Sequence, residues 1–241
     1  LAILTVVYAF NFIDRQILVI LQEPIKAELG LSDTQLGLLT GFSFAVVYVT
    51  AGIPIAWLAD RSNRRNIVAV SLGIWSVMTA LSGMVQNYTQ LLLARLGVGL
   101  GEAGGSPPSH SMLSDYFPEE QRGTALSIYT TGIYLGIFCG YFAGGWIADT
   151  YGWRNAFFIV GIPGVVLAFL LLLLVREPPR TVLPNAVENE KASFKETIVF
   201  LLQRPAFWWI ALGCSTASFV GYGNGNFFPS LLIRNYGLTV T

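Results

Sequence analysis

Four ionisable side chains inside apolar stretches could do chemistry that an ordinary protein core does not need. Asp14 and Arg15 lie in one stretch, and Arg95 and Glu102 lie in another. A charge at the centre of a membrane helix costs ~3 kcal/mol, so such residues face a bundle interior or a water-filled cavity and are functional candidates. The alternative, which applies most to Arg95, is a structural ion pair that locks two helices together.

Helical spacing places these residues on polar faces. On the stretch that contains Arg95 and Glu102, these two residues share a face with Ser106 and Ser109. On the first stretch, five polar residues form one stripe, and Asp14 lies beside it, turned by about 100°. That stripe consists of Thr5, Tyr8, Asn11, Arg15 and Gln22. A lipid-facing helix would not carry such stripes, so both helices are expected to line a cavity.

The two acids are expected to lie at similar depths. At 1.5 Å per residue, Asp14 lies about 12 Å and Glu102 about 18 Å below the outer ends of their helices. A poorly solvated cavity disfavours the charged form of a carboxyl group, which can then bind and release a proton. An arginine stays charged there and suits bidentate capture of a carboxylate or phosphate. Proton binding and anion binding would then be linked.

The composition indicates an integral membrane protein. Of 241 residues, 12% are charged and 54% hydrophobic, and the mean hydropathy is +0.59, whereas an average soluble domain has about 25% charged residues. This excludes an ordinary soluble enzyme and a disordered chain. The net charge is zero, so the sequence lacks the excess of basic residues that is typical of nucleic-acid-binding proteins. Cys139, Cys214 and the single histidine, His110, have no spacing that predicts disulfides or a metal site.

Seven stretches are long and apolar enough to cross a membrane. They cover residues 1–22, 34–58, 66–86, 90–113, 123–148, 155–175 and 205–234. Short connections join the first six stretches, whereas the connection before the seventh is polar and contains proline. We therefore expect a six-helix transmembrane bundle at 1–175, an inter-bundle linker at 176–204, and the first span of a C-terminal bundle at 205–241.

Lysine and arginine in the connections predict the orientation, because they are enriched on the cytoplasmic side. One side of the membrane would carry nine of these residues and the other three. The nine are Arg61, Arg64, Arg65, Arg122, Arg176, Arg180, Lys191, Lys195 and Arg204, and the three are Lys26, Arg154 and Arg234. This asymmetry places the linker in the cytoplasm of a multi-pass protein of the plasma (inner) membrane.

Glycines in two stretches predict how the helices behave. Four glycines repeat every four residues and form one helix face that a neighbouring helix can approach closely. They are Gly132, Gly136, Gly140 and Gly144. The seventh stretch contains glycine and asparagine at 221–226, followed by a proline, and glycine and proline destabilise a helix. We expect a broken, hinge-like helix beside a substrate path; the alternative is a packing kink.

Three motifs follow one another along the sequence. They are Ala56-x-x-x-Asp60-Arg61-Ser62-Asn63-Arg64-Arg65, Arg95-x-x-x-Gly99-x-Gly101-x-Ala103 and Gly136-x-x-x-Gly140-Tyr141-x-x-Gly144-Gly145. They resemble signatures of the major facilitator superfamily, with Ala56 and Asn63 replacing glycines of the first motif and Tyr141 replacing the proline of the third. The resemblance covers residues 1–180. It implies an all-α integral membrane fold, a six-helix bundle built as a 3+3 inverted repeat plus a seventh span.

Within that superfamily, Asn11-Phe12-Ile13-Asp14-Arg15-Gln16 together with Glu102 is similar to the Spinster-like family. The resemblance implies transport of sphingolipids or lysolipids, coupled to protons in bacterial members. Four groups of site residues are expected by position. They are proton coupling by Asp14 and Glu102, substrate binding by Arg15, Asn11 and Tyr8, a cytoplasmic gate of Asp60, Arg61, Arg64 and Arg65, and helix linkage by Arg95, Gly99 and Gly101. For Arg15, pairing with the two acids is the alternative to contact with an anionic head group.

We therefore expect a proton-coupled transporter that works by alternating access, with protons, an amphipathic or lipid substrate and membrane lipids as partners. The sequence shows no nucleophile–base pair and no phosphate loop, so neither an enzyme, a cofactor nor a nucleic-acid partner is expected. A small organic-anion or drug exporter of the same fold and a non-transporting receptor remain alternatives. The chain begins with leucine and supplies seven spans, so we expect residues before Leu1 and a missing C-terminal half.

Overall fold

The structure, a computed structural model, describes residues 1–180 and 194–239. Within these ranges every regular element is helical, which confirms the all-α prediction. The helices are α1 Ala2–Ile20, α2 Gln22–Leu29, α3 Asp33–Gly37, α4 Ser43–Ala59, α5 Arg64–Ser82, α6 Tyr88–Glu102, α7 Ser106–Tyr116, α8 Glu119–Tyr151, α9 Trp153–Leu174, α10 Phe194–Leu202 and α11 Pro205–Tyr236. A π-helical turn, Leu38–Phe42, joins α3 to α4.

Five helical segments in the described part of the chain are long and apolar enough to cross a membrane. They are α1, the combined segment Asp33–Ala59, α5, α8 and α9. These segments match the first, second, third, fifth and sixth predicted stretches. The fourth and seventh stretches are built differently from the prediction.

The fourth predicted stretch, 90–113, is two helices rather than one. The amides of Gly104 and Gly105 donate to the carbonyls of Gly101 (3.2 Å) and Glu102 (3.0 Å), which makes a tight turn between α6 and α7. Two prolines at the start of α7 lack the amide that a continuous helix needs, but such residues suit a helix's first turn. As a result, Glu102 lies at the end of a helix and not in its middle.

The seventh predicted stretch is one continuous helix, so the predicted break at 221–226 is wrong. Helix α11 runs through this segment and through Pro229, and it ends at Tyr236. The next residue, Gly237, has a φ of 63°, a conformation in which side-chain-bearing residues are disfavoured. Glycine inside a helix costs only ~1 kcal/mol relative to alanine, which weakens a helix without having to end it.

The glycine face of α8 packs closely against a neighbouring helix, as the four-residue spacing predicted, and that helix is α1. A Cβ added at Gly132 would lie 2.6 Å from the carbonyl oxygen of Thr5, and one at Gly140 would lie 2.8 Å from the Cβ of Gln16. Neither position has room for a side chain. The missing side chains therefore allow the backbones of α1 and α8 to approach closely.

Helix α5 is fixed by similar contacts on two sides. A Cβ at Gly101 of α6 would lie 2.6 Å from the amide nitrogen of Trp75, and a Cβ at Gly161 of α9 would lie 2.6 Å from that of Ala80. The ring of Trp75 is fully buried. Close packing against α5 therefore fixes the position of the C-terminal end of α6, where Glu102 lies, relative to α5.

The chain divides into two compact units. One contains Leu1–Pro179 together with Pro229–Thr241, and the other contains Arg180–Phe228. The predicted division at 1–175, 176–204 and 205–241 stays a prediction, because part of the predicted linker, 181–193, lies outside the described residues. The described remainder of that linker includes α10.

Candidate functional site

Helices α1 and α6 bring two of the predicted site residues into an ion pair. The Nε of Arg15 donates to Oε2 of Glu102 at 2.6 Å. The Glu102 side chain has no exposed surface and that of Arg15 is 16% exposed. The pair therefore lies inside the helical unit, with Arg15 on the more accessible side.

Aromatic rings surround the guanidinium group of Arg15. Its Cζ lies 5.1 Å from the ring centroid of Phe12, 5.0 Å from that of Phe44 and 5.1 Å from that of Tyr48. Phe44 and Tyr48 are one helical turn apart on α4, and their rings stack at 5.6 Å. The role of these rings was not predicted from the sequence, although two aromatic residues spaced four apart beside a predicted cavity could have indicated it.

The side chain of Asp14 does not share the ion pair of its neighbour Arg15. The side chain is buried, and neither carboxylate oxygen has a hydrogen-bond partner among the described residues. The hydroxyl group of Thr79, on α5, lies close by but outside hydrogen-bond geometry. The Nη1 of Arg95 reaches the backbone oxygen of Asp14 at 3.4 Å and so connects α6 to α1.

Asn11 and Tyr8, the other predicted substrate-binding residues, lie on the same helix as Arg15. Asn11 is buried beside Glu102. The ring of Tyr8 stacks on the ring of Tyr129 of α8, with centroids 4.3 Å apart, and His110 meets Tyr129 edge-on at 5.2 Å. The polar stripe of α1 therefore faces α6 near Glu102 and α8 near Tyr8.

The two predicted helix-linking glycines contact different helices. A Cβ at Gly99 would lie 3.2 Å from the backbone oxygen of Phe44 on α4, whereas Gly101 abuts Trp75 on α5. Arg95, one turn earlier, is buried, and among the described residues its Nε has no hydrogen-bond partner. The motif thus packs α6 against two neighbours while it holds a second guanidinium group near the site.

The predicted gate residues divide into a buried part and an exposed part. Arg64 is 2% exposed, and its guanidinium group binds two carboxylates, Asp115 at 2.5 Å and Glu177 at 2.7 Å. It also donates to Oγ of Ser111 (2.8 Å) and to the backbone oxygen of Pro178 (3.0 Å). We call Arg64 and these four partners the Arg64 cluster. Asp115 and Ser111 were missed in the sequence, although an acid at the end of an apolar stretch near an arginine-rich turn is a usable signal.

The other gate residues have separate contacts. The backbone amide of Arg65 donates to Glu177 at 2.8 Å, which ties it to the Arg64 cluster. Arg61 is exposed, and its Cζ lies over the ring of Trp57 at 4.1 Å. Asp60 is exposed as well. The structure therefore brings Arg64 and Arg65 together and leaves Arg61 and Asp60 on the surface of the turn.

The buried site, which we define as Asn11, Asp14, Arg15, Arg95 and Glu102, holds two acids and two arginines. Within the described ranges it contains a single side-chain ion pair. In the described part of the chain, no group of three His, Cys, Asp or Glu residues could hold a metal ion. Such a set can bind a proton on a carboxyl group and an anion on a guanidinium group, since both arginines remain charged.

Comparison with known proteins identifies the family. A family model described as Major Facilitator Superfamily matches residues 4–241. The chain belongs to the major facilitator superfamily. This confirms the resemblance seen in the three motifs, and it confirms the fold class inferred from them.

Individual superfamily members are similar over nearly the whole chain. A crystal structure of a bacterial homolog to the human lysosomal transporter Spinster, inward-facing and unoccupied, superposes with a TM-score of 0.85 at 38% identity over 99% of this chain and 56% of that one. An MFS-type efflux pump of Mycolicibacterium smegmatis is 37% identical over 99% of this chain and 55% of that protein. A probable galactarate/D-glucarate transporter, GudP, of Bacillus subtilis is 31% identical over 80% of this chain and 43% of that protein.

These similarities bear on family and fold rather than on substrate. The chain spans about half the length of the curated relatives it matches. The relatives carry three different descriptions, an efflux pump, a sugar-acid transporter and a homolog of Spinster. In this superfamily the residues of the site, and not the fold, decide what is bound.

Proposed function

We propose that this chain forms part of a proton-coupled secondary transporter that works by alternating access and carries a sphingolipid- or lysolipid-like amphipathic anion. The observation that carries the proposal is the buried Arg15–Glu102 ion pair next to Asp14, whose carboxylate oxygens lack partners among the described residues. Transporters of this type bind substrate near the bilayer midplane between two halves. The activity is therefore proposed for a protein that also carries the second half.

Competition for Arg15 would couple the proton to the anion. When Glu102 is ionised, it holds the guanidinium group of Arg15 at 2.6 Å. A proton on Glu102 removes the charge that holds Arg15, and Arg15 can then bind an anionic head group in its place. An anion on Arg15 in turn favours the protonated form of Glu102, because two negative groups cannot share one cation without repulsion. Binding of the two ligands is then thermodynamically linked.

The surface of α4 supports an amphipathic substrate. Val49, Ile53 and Trp57 follow helical spacing and are exposed, and this apolar stripe begins next to Tyr48, which contacts Arg15. An acyl chain could lie along the stripe while its head group reaches Arg15. Such a stripe offers apolar contacts to a lipid-like tail and none to a small polar ion.

Two other functions remain alternatives. A small organic-anion or drug exporter is supported by similarity to an efflux pump and to a galactarate/D-glucarate transporter. It would use Arg15 in the same way but would not need the α4 stripe. A receptor would bind a ligand tightly without moving it. Flux separates these alternatives in liposomes that contain the full-length protein. A lipid transporter would accumulate labelled oleoyl-lysophosphatidic acid, and a small-anion exporter would accumulate labelled D-glucarate. A receptor would accumulate neither.

The coupling experiment uses the full-length protein in liposomes with an imposed pH gradient. Asp14→Asn and Glu102→Gln keep the shape of each side chain and remove its ability to ionise. We expect both variants to lose pH-dependent uptake of oleoyl-lysophosphatidic acid. Glu120→Gln, at an exposed position in the first turn of α8, is the matched control and should behave like wild type. Unchanged pH dependence in both buried-site variants would refute the coupling.

The proposed location is the plasma (inner) membrane, with the turn around Asn63 and the 176–204 linker on the cytoplasmic side. Cys139 and Cys214 are exposed and would first be replaced by serine. A cysteine introduced at the exposed Asn63 should then react with a membrane-impermeant maleimide only after the cells are opened. Labelling of intact cells would reverse the proposed orientation.

A further inference from the structure

The ring of Phe44 lies near both guanidinium groups of the buried site. Its centroid is 5.0 Å from Cζ of Arg15 and 5.7 Å from Cζ of Arg95. A cation within about 6 Å of an aromatic face is attracted to it. Phe12 and Tyr48 also contact Arg15, but among the described aromatic residues only Phe44 lies over both arginines.

Two local features bring Phe44 to this position. The π-helical turn Leu38–Phe42 ends two residues before it, and a π-turn shifts the register of everything that follows in the helix. On the facing helix, a Cβ at Gly99 would lie 3.2 Å from the backbone oxygen of Phe44 and 3.4 Å from its Cδ2. Gly99 therefore leaves the space into which the backbone and ring of Phe44 pack.

We propose that Phe44 is a positioning residue that holds Arg15 and Arg95 in place for anion binding. This inference rests on the proposed function in one respect, that Arg15 receives the anionic part of the substrate. A carboxylate in the place of Phe44 would also hold Arg15, but its negative charge would repel the anion. The face of an aromatic ring attracts a guanidinium group without carrying net charge. Phe44 can therefore orient Arg15 and leave its positive charge available.

The first test measures the mobility of the two guanidinium groups and needs no substrate. The full-length protein in detergent micelles, labelled with ¹⁵N-arginine, would show slow rotation about the Nε–Cζ bonds of Arg15 and Arg95, assigned by Arg15→Lys and Arg95→Lys. Phe44→Leu keeps an apolar side chain but removes the aromatic face, so both groups should rotate faster. Tyr48→Leu should free Arg15 alone. Phe44→Tyr should retain the slow rotation of both groups.

The second test measures affinity for two lipids that differ in charge. Oleoyl-lysophosphatidic acid carries an anionic head group, and mono-oleoylglycerol carries none. We expect Phe44→Leu to weaken binding of the first lipid about tenfold, the loss that corresponds to ~1.4 kcal/mol, and to leave binding of the second unchanged. Phe44→Tyr should stay close to wild type. Phe142→Leu, which removes an exposed ring on α8, is the matched control and should change neither affinity.

The outcomes separate this inference from the proposed function. Unchanged rotation of both arginines in Phe44→Leu overturns the positioning role whatever the lipids do. Faster rotation with unchanged affinity for the anionic lipid, in a protein where Arg15→Gln lowers that affinity, overturns the link between positioning and binding. If wild type and Arg15→Gln bind both lipids equally, the proposed function fails, while rotation in Phe44→Leu still decides whether Phe44 holds the arginines. A uniform loss of affinity for both lipids with a lowered unfolding temperature indicates a merely structural role and overturns the proposal.

Discussion

The Arg64 cluster and the buried site use the same residue types in opposite ways. Arg64 is 2% exposed and binds two carboxylates, a hydroxyl group and a backbone oxygen. In the buried site Glu102 has one charged partner, and the carboxylate of Asp14 has no hydrogen-bond partner among the described residues. One set of charges is fully paired, and the other leaves binding capacity unused.

With the proposed function, this difference corresponds to different tasks for the two sets. A fully paired cluster joins the start of α5, the end of α7 and the segment after α9, and it stabilises one arrangement of these parts. A buried polar group without a partner costs ~1–3 kcal/mol, which a protein tolerates where the group must bind something. Charged residues of the same kinds can therefore serve structure at one end of a helical unit and ligand exchange in its interior.

The largest predicted effect is the loss of stability when Arg64 is removed. Arg64→Ala leaves Asp115 and Glu177 facing each other without their shared cation. We expect the free energy of unfolding to fall by about 3 kcal/mol, the lower end of the range for a broken buried pair, because both carboxylates are partly exposed. Unfolding of the full-length protein by dodecyl sulfate in mixed micelles measures this change.

The control is a neighbouring arginine with a different environment. Arg61 is exposed and contacts Trp57, so Arg61→Ala should lower the free energy of unfolding by under ~1 kcal/mol. If Arg61→Ala destabilises the protein as much as Arg64→Ala does, the contrast between a paired cluster and an exposed turn does not hold.

The second prediction is a small stability change at Asp14. Because no hydrogen bond or ion pair within the described ranges holds this carboxyl group, Asp14→Asn should change the free energy of unfolding by no more than about 1 kcal/mol. The same unfolding assay measures it, alongside Arg64→Ala. A loss of 3 kcal/mol or more would mean that Asp14 is a structural anchor like Arg64, and the two regions would no longer differ.

The sequence predicted the parts of the molecule that depend on periodicity. The four-residue spacing of Gly132–Gly144 predicted a face that a neighbouring helix approaches closely, and that helix is α1. Helical spacing placed Arg15 and Glu102 on the polar faces of two helices, and these two residues form an ion pair. Both predictions rest on the fixed geometry of a regular helix.

What escaped prediction depends on departures from that geometry or on distant contacts. The π-turn before α4 changes the register, so the place of Phe44 beside Arg15 could not be read from helical spacing. Asp115 binds Arg64 although the two residues are 51 positions apart in the sequence. This contact exists only because the helices pack together, so helical spacing could not predict it. The predicted break in α11 failed because glycine and asparagine lower helix propensity without having to end a helix, and α11 continues through Pro229 to Tyr236.

The smallest predicted effect concerns a third charged set, on the surface. Glu28 of α2 binds the indole Nε1 of Trp153 at 2.6 Å and forms an ion pair with Arg154. The hydrogen bond from Trp153, followed by that from Arg154, lowers the pKa of Glu28 from its ordinary value of 4.5. Because the pKa is lowered in the folded state, the contribution of this carboxylate to stability is fully present above pH 4.5 and is lost only as the pH falls through the lower, folded-state value.

Glu28 therefore stays ionised over the range from ~pH 5 to ~pH 8, in which a physiological proton gradient would act. Glu28→Gln should leave the pH profile of uptake by the full-length protein unchanged in that range, while Glu102→Gln abolishes its pH dependence. The measurement is uptake of oleoyl-lysophosphatidic acid at stepped external pH in the two variants and wild type. A shifted profile in Glu28→Gln would move proton sensing from the buried site to a fully paired surface group, and the contrast between paired and unpaired charges would lose its functional meaning.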